Sequence, residues 1–153
     1  MAKLFQFVNL LPMPVWLAMM FAPRAQVTQK ASRSSIVFGL MALGYVLSLL
    51  LSVVMGRGKA GRAISPADFT SLDGIRKGLG TPEGALAAWS HMLALDLFAG
   101  AWIYRESMRL DAPGWVRVPS LFFTLMTGPF GLLMFLVWRV LGARQPVSIP
   151  SEV

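Results

Sequence analysis

The chain predicts an all-α fold: a four-helix transmembrane bundle with a short amphipathic interfacial helix between the second and third spans. Three observations predict it. Four apolar runs, Leu4–Ala22, Ile36–Met55, Ala85–Tyr104 and Val118–Leu141, hold 19 to 24 residues each. About 20 residues cross ~30 Å of hydrocarbon as a helix. The composition is wrong for a water-facing surface: 56% of residues are hydrophobic and 14% charged, where a soluble domain has roughly a quarter charged. The mean hydropathy is +0.62. The runs also lack the alternating polarity of a membrane strand, so their backbone groups must be satisfied within helices. Residues 1–145 read as one transmembrane domain and 146–153 as a disordered tail.

The first run is interrupted by Pro12 and Pro14. Each proline lacks a backbone donor and crowds the preceding turn, so this helix should kink. Lys3 precedes the run and no small-residue cleavage site follows it, which favours an uncleaved first helix over a removed signal peptide. The second run is the most lipid-like, with Gly39, Gly44 and Ser48 offering close helix contact. In the long gap, Ser65-Pro66-Ala67-Asp68 has the chemistry of a helix start. Phe69, Leu72, Ile75 and Leu79 follow at helical spacing, Arg76 and Lys77 lie off that face, and Gly80 ends the pattern. This is the helix expected on the membrane surface; packing on the bundle is the competing reading. Thr81-Pro82-Glu83 repeats the start signal for the third run, and Asp111-Ala112-Pro113-Gly114 reads as a turn. The fourth run contains Pro119 and a central Gly128-Pro129-Phe130-Gly131, which predicts a kink with free carbonyls.

The net charge is +7, and the basic residues sit between the apolar runs. Positives at such places set topology and touch anionic headgroups. No basic stripe alternates with exposed aromatics, so nucleic acid is not an expected partner. The expected partners are membrane lipids. An even number of spans puts both termini on one side, with eight basic residues there against six opposite. The positive-inside rule then puts the termini in the cytoplasm. With no cysteine, disulfides, thiolate metal sites and a cysteine nucleophile are excluded.

The third run, ALAAWSHMLALDLFAGAWIY, carries His91 and Asp96. An ionisable group at that depth costs at least ~2.5–3.5 kcal/mol, so it faces protein or a wet cavity and marks function. A neutral Asp96 can donate a proton; an ionised one needs a cation, and Arg105 lies on the opposite face of the same helix. The structural alternative for Asp96 is a strut to Asn9, Thr124 or Thr127. His91 lies about 140° round from Asp96. A lone histidine makes no multi-histidine metal site, and no metal is expected. Its bland role is a tautomer fixed by a neighbour. Glu83 lies near the His91 face, where favourable charge at a helix N-terminus is the simpler role. Asn9 beside Pro12 and Pro14 suggests a cavity-lining turn. Trp89 shares the Asp96 face and could flank a flat ligand. The five Trp residues otherwise suit interfacial anchoring. No phosphate-binding glycine loop, dinucleotide fingerprint or hydrolase motif occurs.

Several strings resemble the abscisic-acid-deficient-4-like (neoxanthin synthase-like) membrane family. They are Asn9-Leu10-Leu11-Pro12 with Trp16, Phe21-Ala22-Pro23-Arg24, Thr81-Pro82-Glu83-Gly84-Ala85, Trp89-Ser90-His91, Asp96-Leu97-Phe98, Gly100, Trp102-Ile103 and Gly128 to Leu133. The resemblance covers both ends and the third helix; the second helix carries no signature. It implies an integral membrane protein acting on, or binding, a carotenoid-like lipid as a cofactor-free isomerase. Converting an epoxy-carotenoid to an allenic one needs an acid and a base but no redox group. Asp96, His91 and Glu83 are the candidate acid/base residues, and Asn9, Trp89, Gly100, Gly128 and Pro129 the candidate pocket. The rival class is a non-catalytic accessory subunit of a larger pigment–protein or respiratory complex. With no evident plastid transit segment, a bacterial inner-membrane location is expected.

Overall fold

The computed structural model describes residues 2–59 and 70–142, and all regular structure among them is helical. The order is α1 (Ala2–Leu10), α2 (Met13–Phe21), α3 (Gln26–Ala31), α4 (Ser35–Lys59), α5 (Leu72–Leu79), α6 (Pro82–Arg109), α7 (Gly114–Thr127) and α8 (Pro129–Leu141). Two stretches, Lys3–Phe21 and Pro82–Arg109, are long and apolar enough to cross a membrane. Ser35–Leu51 and Pro129–Leu141 are apolar but shorter.

The break between α1 and α2 falls where the prolines demand it. Pro12 and Pro14 have no N–H to give, and the ladder resumes with Trp16 donating to the Pro12 carbonyl at 3.1 Å. The expected start at Ser65–Asp68 lies outside the described residues. Within them, α5 is capped by Ser71, whose hydroxyl accepts from the Gly74 N–H at 3.1 Å. Its apolar residues Leu72, Ile75 and Leu79 are exposed. Gly80 closes it, as expected. α6 begins at Thr81, whose hydroxyl accepts from Gly84 N–H at 3.0 Å, with Pro82 in the first turn. It ends in a paired turn: Ala112 donates to Ser107 at 2.8 Å and Asp111 to Met108 at 3.4 Å, with Asp111 at φ 50°. That is the Schellman pattern, with aspartate in the left-handed position usually given to glycine.

α6 is the axis of the molecule. The register of its neighbours follows from their contacts. Asn9 meets Trp89, Trp16 meets Gly100 and Pro23 meets Tyr104, a nearly constant offset, so α1 and α2 run parallel to α6. Ser32 meets Arg105, Phe38 meets Phe98, Tyr45 meets His91 and Ser48 meets Ser90, so α4 runs antiparallel. Trp16, Leu97, Ala101, Ile103, Leu121 and Phe135 form the buried centre.

The run Val118–Leu141 departs from the single kinked span expected. It lies within two helices that turn back on each other at Gly128. Gly128 sits at φ 56° and ψ −97°, which side-chain-bearing residues rarely adopt, and Pro129 then starts α8 without an N–H. Gly131 lets the arms touch: a Cβ there would stand 2.2 Å from the Thr124 nitrogen and 2.3 Å from the Ser120 carbonyl oxygen. Gly128 meets Asp96, Phe135 meets Trp102 and Arg139 meets Glu106, so α8 runs parallel to α6. The hairpin tip is at the middle of α6. Both hairpin ends are at the α6 C-terminus.

Candidate functional site

The candidate residues fall into separate clusters around α6. Trp89, Asp96 and Gly100 share one face, because seven and four residues are close to whole turns. That face meets α1, α2 and the hairpin tip. Trp89 Nε1 donates to Asn9 Oδ1 at 2.7 Å, and the Trp89 ring lies 6.2 Å from Phe5. Asn9 therefore satisfies an indole rather than bracing Asp96. Further along, Trp16 packs over Gly100; a Cβ at Gly100 would fall 2.2 Å from the Trp16 ring. Trp16 is 1% exposed, and its ring N–H has no partner among the described residues.

Between these two contacts lies Asp96, half-buried against the hairpin tip. A Cβ on Gly128 would stand 2.6 Å from Asp96 Oδ1. The expected struts are engaged elsewhere: Thr124 donates to the Ser120 carbonyl at 2.7 Å and Thr127 to the Phe123 carbonyl at 2.8 Å. Among the described residues no hydrogen bond or ion pair reaches the Asp96 carboxyl. Pro129 opens α8 beside it, and the first-turn N–H groups of a helix have no intrahelical partner. The carboxyl is thus held by packing on one side and left with its full hydrogen-bonding capacity.

His91 lies on another face. It is exposed, and its ring is 5.1 Å from that of Tyr45 on α4. Glu83 is half-buried in the first turn of α6, where negative charge complements the helix dipole. The structure therefore brings Asp96 together with Gly128 and Pro129, and sets Asn9–Trp89 and Trp16–Gly100 on either side. It does not bring His91 or Glu83 to Asp96. Tyr45 was not singled out from the sequence; a tyrosine in the middle of the most lipid-like run was the available signal. The Tyr104 hydroxyl, which donates to the Pro23 carbonyl at 2.5 Å and ties α2 to α6, was equally unmarked. Among the described residues no three His, Cys, Asp or Glu side chains converge in a metal-binding group.

Comparison with known proteins gives the family of the chain. Protein ABA DEFICIENT 4, chloroplastic, from Arabidopsis thaliana is 29% identical over 96 residues. The alignment covers 63% of this chain but 43% of the plant protein, so the chain spans less than half the length of that relative. No solved structure matches. The family model described as ABA DEFICIENT 4-like matches residues 3–135, a stretch that takes in Asn9, Asp96 and the turn at Gly128. The chain belongs to the ABA DEFICIENT 4-like family.

Proposed function

We propose that this is an integral membrane protein of three crossings and one re-entrant hairpin, which holds a carotenoid-like lipid along the Asp96 face of α6 and isomerises it by proton transfer. A fourth crossing is not part of the proposal: α7 and α8 have 14 and 13 residues, about 21 and 20 Å by the helix rise. Membrane placement is supported by the long apolar stretches of α1–α2 and α6 and by α4. Ile36, Leu40, Leu43, Leu47, Leu50 and Val54 are all exposed along α4. Hydrocarbon is the surrounding in which such a face is not penalised. Three crossings put the two ends of the chain on opposite sides. Lys3 and the five basic residues of the long gap, six in all, then stand against Arg24, Lys30, Arg33, Arg105, Arg109, Arg117 and Arg139, seven before Arg144 is counted. The positive-inside rule then no longer favours a cytoplasmic N-terminus.

The observation that carries the reading is the Asp96 carboxyl, free of protein partners among the described residues and seated at the hairpin tip. Opening an epoxide to an allene needs a proton on the oxygen as the C–O bond breaks. It also needs a proton removed from the adjacent carbon as the new double bond forms. A neutral Asp96 gives its proton from one oxygen, and the resulting carboxylate takes the second proton on the other. Atoms and electrons balance, and the acid is regenerated. Trp89, 41% exposed, flanks this position and offers a ring face to a polyene. His91 and Glu83 stand outside this proton path.

The test is product formation from an added epoxy-carotenoid by protein in lipid nanodiscs. Asp96→Asn is expected to lose activity by at least about a hundredfold, the general-acid contribution. His91→Ala is expected to retain activity within about tenfold. An active Asp96→Asn enzyme would sink the reading, as would wild-type protein that neither binds nor alters the substrate. The rival reading, a non-catalytic subunit of a larger membrane assembly, rests on the same exposed apolar faces. That reading would have Asp96 or Arg105 pair across a subunit boundary, and Arg105 donates instead to the Ser32 carbonyl of its own chain. Stoichiometric co-purification with another membrane protein would favour that reading.

A further inference from the structure

We propose that two copies of this chain pair through the α4–α6 face, with Tyr45 of each copy donating to His91 of the other. The proposal rests on the membrane placement above. Tyr45 and His91 stand side by side, ring centroids 5.1 Å apart and planes tilted by 56°. His91 is exposed and Tyr45 half-buried. Next to them Ser48 and Ser90 are buried, their hydroxyls joined at 3.3 Å, so α4 is closed on α6 without the two rings. Among the described residues no hydrogen bond or ion pair reaches the Tyr45 hydroxyl or the His91 imidazole.

His91 is nine residues beyond Pro82, about 14 Å along α6. On the proposed placement that depth is hydrocarbon, where an unmet polar group is costly and a histidine is expected to face protein or water. Around the pair, Ala42, Leu95 and Phe98 are exposed and apolar. A phenol and a neutral imidazole each carry one donor and an acceptor. Because the two rings touch, they sit at one depth. A twofold axis along the membrane normal beside them sets Tyr45 of each copy opposite His91 of the other. Two identical O–H···N bonds then close, as an isologous interface requires. Apolar surface alone does not drive helices together in lipid, whereas hydrogen bonds between side chains do. A second copy supplies the matching chemistry at the matching depth, with the same apolar flanks. This face lies about 140° round α6 from Asp96, so pairing does not cover the candidate site.

The full chain, carrying one fluorophore, would be followed in liposomes by single-molecule photobleaching over a series of lipid dilutions. The wild type is expected to form reversible dimers. Each bond uses one Tyr45 and one His91, so either Tyr45→Phe or His91→Leu removes both and should weaken dimerisation by at least about tenfold. The double variant loses the same two bonds and should fall within about twofold of the weaker single variant. Tyr45→Phe keeps the ring contact, so it tests the bond even where His91→Leu fails to fold. The chain has no cysteine, so Ala42→Cys should give an oxidative cross-link between copies, and Leu133→Cys on the exposed side of α8 should not. Monomers at every dilution, a Tyr45→Phe dimer as tight as the wild type, or an Ala42→Cys cross-link to a different protein overturns the pairing. Inactive Asp96→Asn protein is expected to stay dimeric, so the pairing and the chemistry at Asp96 fail separately. Release from membranes by salt alone would overturn the membrane placement together with the pairing, whereas an integral monomer overturns the pairing only.

Discussion

Replacing Gly128 by alanine tests whether the hairpin tip and the carboxyl are one unit. Two costs are expected. The backbone sits at φ 56° and ψ −97°, and an L side chain held in such a region costs about 1–3 kcal/mol. The new Cβ would also stand 2.6 Å from Asp96 Oδ1, and overpacking of this kind typically costs about 1–3 kcal/mol. Gly128→Ala should therefore destabilise by about 2–6 kcal/mol. In an Asp96→Ala background the second cost disappears and about 1–3 kcal/mol remains. The double-mutant cycle should show a coupling of about 1–3 kcal/mol. Chemical unfolding in mixed micelles, followed by tryptophan fluorescence, measures all four corners. Additivity within about 0.5 kcal/mol would show that the tip does not lean on Asp96, and the site would lose its geometry.

Two further predictions use the same contacts. Gly100→Val should push Trp16 off α6, costing about 1–3 kcal/mol and red-shifting the fluorescence of a variant retaining only that tryptophan; an unchanged spectrum would refute the packing. The chain has no cysteine, so single cysteines at Lys3 and Gly142 in sealed vesicles report sidedness directly. A membrane-impermeant maleimide should label them from opposite faces. Labelling of both from one face would restore a fourth crossing.

The helical class, and Asp96 as a candidate, were legible because they rest on local chemistry. The proline pair fixes the α1–α2 break, Thr81-Pro82 fixes the α6 start, and the cost of a carboxyl in an apolar run singles out Asp96. The reversal at Gly128 was not legible, because glycine followed by proline licenses any bend from a kink to a full turn. What selects the turn is Gly131 settling on Ser120 and Thr124, residues eleven and seven positions away. The partners of Asp96 escaped for the same reason. Asn9 was free on paper to reach either Asp96 or Trp89, and only the parallel register of α1 on α6 decides for the indole. His91 was tied to Asp96 by chemical type, yet their 140° separation sends it to Tyr45.

The hairpin enters and leaves beside Arg109 and Arg139. On the proposed membrane placement, no charged segment has to be threaded through hydrocarbon for it to be seated. The wedge of α7 and α8 can therefore be inserted last during biogenesis, after α2 and α6 have come together. A chain arrested before Gly114 would be the natural intermediate, with Asp96 uncovered until the tip arrives.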